Sequence, residues 1–128
     1  MIDVDLGGYF NMCWAVIGDM HVRRFGRIVN VSSINALSGQ FGQTNYAAAK
    51  AGLAAFTVAL AEEVAHEGIL VNAIAPSIMD TVANRKSMPK ADFEAWPKVD
   101  DVAATVAFLA SPRNTVTRGA LVPAYGKV

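Results

Sequence analysis

Apolar positions near the start of the chain recur at helical spacing. Five of them lie three to five residues apart between residues 3 and 22, and this spacing predicts a helix there: Leu6, Phe10, Trp14, Ile17 and Val22. A continuous apolar run over residues 27–32 then indicates a strand buried in a parallel sheet. Residues 33–43 contain Gly39 and Gly42, which break regular structure, so this segment is predicted to be a loop.

The second predicted helix is apolar on almost every side. It begins at Thr44 or Asn45, either of which can cap it, and it runs to about His66. A helix with this composition is expected to be buried on more than one side, against the sheet and against another helix. Gly68 ends the helix, and residues 69–74 read as a second strand. Strand, helix and strand form a βαβ unit, which has parallel strands and a right-handed crossover.

The pattern loses its period after the second strand. Residues 75–97 contain three prolines and no sustained repeat. A segment this long without regular structure is usually functional, so residues 77–97 are predicted to form a loop that acts as a substrate lid. A third helix is expected from Asp100 to Ala110, because acidic residues at its start face the positive end of the helix dipole. Residues 119–122 are predicted to form a short last strand.

Composition narrows the class of protein. The 128 residues are 53% hydrophobic and carry 11 basic and 11 acidic side chains, so a core can form and no net charge favours nucleic acid or an anionic membrane. No apolar run reaches the roughly 18 residues of a membrane span, and Asp3 and Asp5 argue against a secretory signal. The single Cys13 cannot form an internal disulfide. A cytoplasmic protein is therefore expected, and His21, His66 and Cys13 have no metal-ligand spacing.

Three side chains that can act on one oxygen atom follow the first strand. Ser33 lies at the end of the strand, Tyr46 comes thirteen residues later, and Lys50 follows four residues after that, one helical turn away. An ammonium group beside a phenol favours the phenolate, and a serine hydroxyl can hold a substrate oxygen. These groups suit carbonyl reduction or alcohol oxidation. Because no side chain supplies a hydride, a nicotinamide cofactor is implied.

The segment Gln40–Gly52, QFGQTNYAAAKAG, resembles the catalytic half of the short-chain dehydrogenases/reductases (SDR family), and it is most similar to 3-oxoacyl and acetoacetyl-CoA reductases. Val71–Pro76 and Phe108–Ser111 are also similar to segments of that family, so the resemblance covers nearly the whole chain. It implies a single partial Rossmann-like domain over residues 1–128, with about three strands and three main helices. The N-terminal dinucleotide-binding strands would be lacking.

The resemblance also implies a role for each site residue. Ser33 would orient the substrate oxygen, Tyr46 would be the general acid/base, and Lys50 would favour the phenolate and bind the cofactor ribose. The cofactor, NAD or NADP, would contact six residues: Tyr46, Lys50, Pro76, Ser77, Ile78 and Thr81. The substrate would be a small ketone or secondary alcohol, with a 3-oxoacyl thioester as one candidate.

The chain departs from the family pattern in three places. It contains no glycine-rich cofactor loop, it has Asp5 where the family has an active-site asparagine, and it has Ser77 where the family has glycine. Two hypotheses follow: an NAD(P)-dependent oxidoreductase, or a truncated, non-catalytic fragment that acts only by subunit association. Family members commonly assemble through the pair of helices that corresponds to the first and second predicted helices of this chain, which implies a homo-oligomer. An unpaired apolar edge on the strand at 27–32 would also favour self-association.

Overall fold

Three parallel strands form one sheet in the order β1-β2-β3. The computed structural model describes residues 1–128 and places the strands at Gly26–Val31 (β1), Ile69–Pro76 (β2) and Leu121–Ala124 (β3). Asn30 of β1 lies opposite Ala73 of β2. The predicted α/β fold with a partial Rossmann-like parallel sheet is confirmed.

Five α-helices accompany the sheet: α1 (Gly8–Arg23), α2 (Asn35–Ser38), α3 (Thr44–Val64), α4 (Val82–Ser87) and α5 (Val99–Ala110). A π-helical turn precedes α1, and single 3₁₀ turns follow α3 and precede α5: Asp3–Gly7, Ala65–Glu67 and Phe93–Ala95. The helix predicted over residues 3–22 is therefore a π turn joined to an α-helix. No helix is long and apolar enough to cross a membrane.

Two predicted loops contain helices. Residues 33–43 include α2. The backbone amide of Asn35, the first residue of α2, donates a hydrogen bond to the Ser33 hydroxyl. Residues 75–97 include α4, which begins because the Thr81 hydroxyl accepts a hydrogen bond from the Asn84 amide at 3.1 Å. Each segment thus contains one short helix that was not predicted, because helices of four and six residues are too short to show an apolar period. The role of residues 77–97 as a substrate lid stays a prediction.

The last strand begins two residues later than the pattern predicts. Gly119 has a φ of +65°, a left-handed conformation that interrupts an extended strand. Pairing with β2 then runs from Leu121, which lies opposite Ala73, to Ala124, which lies opposite Pro76. β3 therefore extends the sheet only beside the carboxyl end of β2.

The core lies between α3 and β2. Ala61 and Val64 on α3 pack against Ile69 and Val71 on β2, and all four are buried. Gly68 makes the sharp turn between them, since its φ is +76° and a side chain there would collide with the Arg24 carbonyl. The crossover connection thus holds the two parallel strands in register.

A second side of α3 meets the start of the chain. Phe56 lies 6.0 Å from the ring of Phe10, and Leu6 packs on Gly52, where an added Cβ would come within 3.2 Å of it. The expectation that α3 contacts both the sheet and another helix is met within this chain. Val58, on the outer side of α3, is 48% exposed.

β1 forms one edge of the sheet. Its outer side has no partner strand, and Val31 at its end is 41% exposed. An apolar groove of about 430 Å³ runs beside this edge and is lined by Val4, Met12, Val16 and Ile28, among others. The open apolar edge predicted from the sequence is present, and self-association through it stays a prediction.

Candidate active site

Two buried hydrogen bonds fix how α3 crosses β1. The Asn30 side-chain amide donates to the Thr57 hydroxyl at 3.0 Å, and the Ser32 hydroxyl donates to the backbone carbonyl of Lys50 at 3.0 Å. Thr57 in turn donates to the carbonyl of Leu53 at 2.9 Å. Because every buried polar atom here has a partner, α3 has a defined position along the strand, and Lys50 has a defined place at the strand's end.

Ser33 and Tyr46 line the same cavity beyond the carboxyl end of β1. Ser33 is 8% exposed, and its hydroxyl oxygen accepts a hydrogen bond from the Asn35 amide at 3.2 Å. The hydroxyl proton of Ser33 therefore stays available for a substrate. Tyr46 lies in the first turn of α3, where its backbone amide donates to the side chain of Asn45 at 2.9 Å, and its ring is partly exposed.

The ammonium group of Lys50 lies near the rings of Tyr46 and Tyr9. Its Nζ is 5.7 Å from the centre of the Tyr46 ring and 5.3 Å from the centre of the Tyr9 ring. The same nitrogen donates to the Val31 carbonyl at 3.0 Å, and Lys50 is only 7% exposed. Tyr9 was not singled out by the sequence, because a partly exposed aromatic residue on α1 carries no pattern that distinguishes it.

Ser33 and Tyr46 open on a cavity of about 590 Å³. Amide, hydroxyl and methionine side chains make up most of its wall, and no charged side chain lines it. At one side the Asn35 amide nitrogen donates to Gln40 at 3.1 Å and to Gln43 at 2.6 Å. The cavity therefore offers neutral hydrogen-bonding groups and apolar surface to a ligand.

Comparison with known proteins matches this sequence to one family. The family described as short chain dehydrogenase matches residues 1–92. The acetoacetyl-CoA reductase of Shinella zoogloeoides is 43% identical over 135 residues, which cover 98% of this chain and 56% of that protein. The 3-oxoacyl-[acyl-carrier-protein] reductase FabG of Pseudomonas aeruginosa is 40% identical over 98% of this chain and 54% of that protein. This chain belongs to the short-chain dehydrogenase family.

The resemblance stated from the sequence is thus confirmed at the level of the family. A third relative, the acetoacetyl-CoA reductase of Paracoccus denitrificans, is 47% identical over 87% of this chain and 50% of that protein. The chain spans about half the length of the curated relatives it matches. The substrates in these names are those of the named proteins.

Four of the predicted cofactor residues lie in the segment 76–81, and only two of them line the cavity. Ser77 and Ile78 line the cavity with Tyr46, whereas Pro76 and Thr81 are not among its lining residues. The Pro76 carbonyl accepts from the Ile34 amide at 3.0 Å, which ties β2 to α2. The Ser77 hydroxyl donates to the Tyr125 carbonyl at 2.9 Å. The cofactor roles given to these residues stay predictions.

An ion cluster organises the predicted lid. The Asp80 carboxylate accepts from Arg85 at 2.6 and 2.8 Å and from Lys98 at 2.7 Å. Arg85, followed by Lys98, holds the pKa of the Asp80 carboxyl well below its usual range through these hydrogen bonds. Arg85 also lies over the ring of Phe93, 4.7 Å from its centre. The cluster joins the two ends of the segment between β2 and α5.

The remaining residues singled out from the sequence lie outside this cavity. Asp5 stands one turn before Tyr9, and its backbone amide donates to the Met1 carbonyl at 2.7 Å. The side chain of Cys13, a residue of α1, is buried, and burial raises the pKa of its thiol. His21 pairs with Glu67 at 2.8 Å. No group of three or more His, Cys, Asp and Glu side chains is placed to hold a metal ion.

Proposed function

We propose that this chain carries the acid/base apparatus of an NAD(P)-dependent ketoreductase. The observation that carries the proposal is the shared cavity of Ser33 and Tyr46, with the Lys50 ammonium held behind the Tyr46 ring. Membership of the short-chain dehydrogenase family supports it. The reaction would be reduction of a ketone to a secondary alcohol, or the reverse.

Each of the three side chains has a task in this reaction. Ser33 donates its free hydroxyl proton to the substrate carbonyl oxygen and so fixes the oxygen in place. Tyr46 transfers its phenolic proton to that oxygen as carbon is reduced. Lys50 stabilises the phenolate that remains, because a cation near a developing negative charge lowers its free energy.

The residues of the cavity fit the nicotinamide end of the cofactor, and no other part of the cofactor has a matching site in this chain. Ser77 and Ile78 stand beside Tyr46 and would line the nicotinamide, and the Thr81 hydroxyl keeps a proton to donate after it caps α4. The Lys50 ammonium would bind the ribose hydroxyls. When bound in its reduced form, the cofactor supplies the hydride. The chain contains no glycine-rich loop that would cradle the pyrophosphate, and nothing in it selects NAD or NADP.

A 3-oxoacyl thioester is the substrate class that we propose. The relatives named acetoacetyl-CoA reductase and 3-oxoacyl-[acyl-carrier-protein] reductase support this class. The cavity wall supports it as well, because a 3-oxoacyl group is neutral and the wall has neutral hydrogen-bonding groups such as Asn35, Gln43 and Asn84. A substrate with a carboxylate next to its ketone would meet no charged side chain on this wall.

The exposed face between α1 and α3 is the surface through which we propose that copies of the chain associate. Phe10 and Trp14 stack there with their ring centres 6.5 Å apart, and Trp14 is 76% exposed. A groove of about 600 Å³ lies between the helices, with Phe56 and Leu60 on the α3 side. Apolar surface of this extent on a small protein usually marks an interface.

A second candidate function is association without catalysis. One observation favours it: the exposed aromatic face on α1. In this case Ser33, Tyr46 and Lys50 would be inherited residues that no longer meet a cofactor.

Cofactor titration separates the two candidates. NADH and NADPH are added in turn to the 128-residue chain, and nicotinamide fluorescence is followed to saturation. The ketoreductase proposal predicts saturable binding that Lys50→Ala weakens and that Lys86→Ala, on the exposed lid, leaves unchanged. Fluorescence that rises only linearly with either cofactor would reject the enzyme proposal and favour association.

A further inference from the structure

One backbone carbonyl holds two side chains that are far apart in the sequence. The carbonyl of Val31, the last residue of β1, accepts a hydrogen bond from the Tyr9 hydroxyl at 3.2 Å. It also accepts one from the Lys50 ammonium at 3.0 Å. Tyr9 comes from the first turn of α1 and Lys50 from the second turn of α3. The end of β1 therefore joins α1 to the candidate active site.

The Tyr9 ring completes the surroundings of the ammonium group. Lys50 Nζ lies 5.3 Å from the centre of the Tyr9 ring and 5.7 Å from the centre of the Tyr46 ring. Both distances are within the range in which a cation is attracted to an aromatic face. Since Lys50 is 7% exposed, water competes little with these contacts. Two rings and one carbonyl together restrict where the ammonium can lie.

The charged and titratable groups around Tyr9 are few. Asp5 faces it from the π-helical turn, and Tyr46 and Lys50 face it from α3. Cys13 of α1 and Asn30 of β1 line a groove together with Tyr9, and the Val31 carbonyl accepts the hydrogen bond of its hydroxyl. Burial, then Asp5 and then Tyr46, raise the pKa of the Tyr9 hydroxyl, so Tyr9 stays protonated and remains a hydrogen-bond donor at working pH.

We propose that Tyr9 is a positioning residue that holds the Lys50 ammonium against Tyr46. The inference rests on the proposed ketoreductase function for its catalytic consequence, although the placement of Lys50 is a separate property of the chain. Without Tyr9, the ammonium would keep one ring and one carbonyl and would move toward solvent. The Tyr46 phenolate would then lose part of its stabilisation, while Ser33 and the cavity would remain.

Two substitutions separate the hydroxyl of Tyr9 from its ring. Tyr9→Phe removes the hydrogen bond to Val31 and keeps the aromatic face, whereas Tyr9→Leu removes both. Tyr125→Phe is the matched control, because it deletes a tyrosine hydroxyl that makes no contact with Lys50. The first measurement is the NMR chemical shift of the Lys50 ε-methylene protons, which a nearby ring face moves upfield. We expect these protons to move downfield in Tyr9→Leu, by less in Tyr9→Phe, and not at all in Tyr125→Phe.

The second measurement is the pH profile for oxidation of a 3-hydroxyacyl thioester with NAD⁺ or NADP⁺, a direction that requires the Tyr46 phenolate. We expect the pH of half-maximal rate to rise by about half a unit to one unit in Tyr9→Leu, because a displaced cation stabilises the phenolate less. A smaller rise is expected in Tyr9→Phe. A residue that only supported the fold would lower the rate without moving this profile.

The outcomes are distinct. Unchanged Lys50 signals in Tyr9→Leu, or a reduced rate with an unmoved pH profile, would overturn the positioning role. If the wild-type chain oxidises no substrate, the proposed function fails, and the NMR measurement alone then decides whether Tyr9 places Lys50. If Tyr9→Leu does not fold, the same two measurements on Tyr9→Phe decide, with a smaller expected change in each.

Discussion

The helices α3 and α1 are both amply supplied with apolar residues, but only α3 is covered. α3 turns one continuous face to the sheet, with five residues spaced close to one turn apart and all buried: Ala49, Leu53, Thr57, Ala61 and Val64. Of the residues in α1, only Cys13 is buried. Trp14 and Val22 of α1 are 76% and 81% exposed.

The difference lies in how each helix is positioned. α3 is held by hydrogen bonds from its own sheet, such as Asn30 to Thr57, so the residues at its start have a defined place relative to β1. α1 lies beside the open edge of β1, and only Phe10 of its outer aromatic side chains meets α3, through the ring of Phe56, while Trp14 stays exposed. Tyr46 and Lys50 therefore lie on the helix that the chain itself fixes, whereas the uncovered helix is suited to a partner.

The largest effect should follow loss of the covered face. Leu53 is fully buried, and Leu53→Ala is expected to lower the free energy of unfolding by about 2–5 kcal/mol, because it removes apolar contacts and leaves a cavity. Val58→Ala, on the exposed side of the same helix, should change it by only about 0.5 kcal/mol. Urea unfolding followed by circular dichroism measures both. Equal losses for the two variants would show that α3 is not packed as described.

A smaller loss should follow when only the polar link is broken. Thr57→Val keeps the shape of the side chain but leaves the Asn30 amide without its acceptor, at a cost of about 1–3 kcal/mol. The control is Thr105→Val on α5, where the hydroxyl is partly exposed to water. The same urea experiment compares them. An unaltered midpoint for Thr57→Val would mean that the hydrogen bond does not fix the crossing of α3 over β1.

Much of the covered region could be predicted from the sequence. The apolar run of β1 and the spacing from Ser33 to Tyr46 to Lys50 depend on local periodicity, and the βαβ connection follows from their order. The short helix α4 and the late start of β3 could not, because they depend on the Thr81 cap and on the left-handed Gly119.

The contact of Tyr9 with Lys50 could not be predicted from the sequence either. It depends on how α1 packs against the end of β1, a tertiary relation that no repeat in α1 encodes. Arg85 shows the same limit, because no pattern in the sequence indicates that its guanidinium binds Asp80. Patterns therefore located the elements, and packing decided which side chains meet.

The uncovered helix is tested by its association. Trp14→Glu places a charge at the centre of the exposed aromatic face and should weaken self-association by about tenfold, which corresponds to about 1.4 kcal/mol. Val116→Glu is the control, because Val116 is 84% exposed in the connection before β3. Sedimentation velocity over a range of concentrations gives the association constants. A wild-type chain that stays monomeric at every concentration would refute association through this face.

The smallest effect is expected in the ion cluster of Asp80, Arg85 and Lys98. The folded-state pKa of Asp80 is lowered, so this carboxyl contributes stability that is complete above its unfolded pKa, about 3.9, and is lost as the pH falls. The free energy of unfolding should therefore begin to decrease near pH 5 and fall most steeply below about pH 4, and it should fall less steeply in Asp80→Asn than in the wild type. Asp19→Asn is the control, because Asp19 is exposed on α1 and forms no ion pair. Identical slopes for Asp80→Asn and the wild type would contradict a role for this cluster.

The central claim is that Tyr46 is the acid/base group of a ketoreductase site, and turnover tests it most directly. Oxidation of NADPH and of NADH by the wild-type chain is followed at the nicotinamide absorbance with acetoacetyl-CoA, alongside Tyr46→Phe. We expect the wild type to turn over, and we expect turnover to fall by about 10²-fold or more in Tyr46→Phe, with cofactor binding largely retained, since only the proton donor is lost. Equal turnover by the two proteins, or none by the wild type, would contradict it.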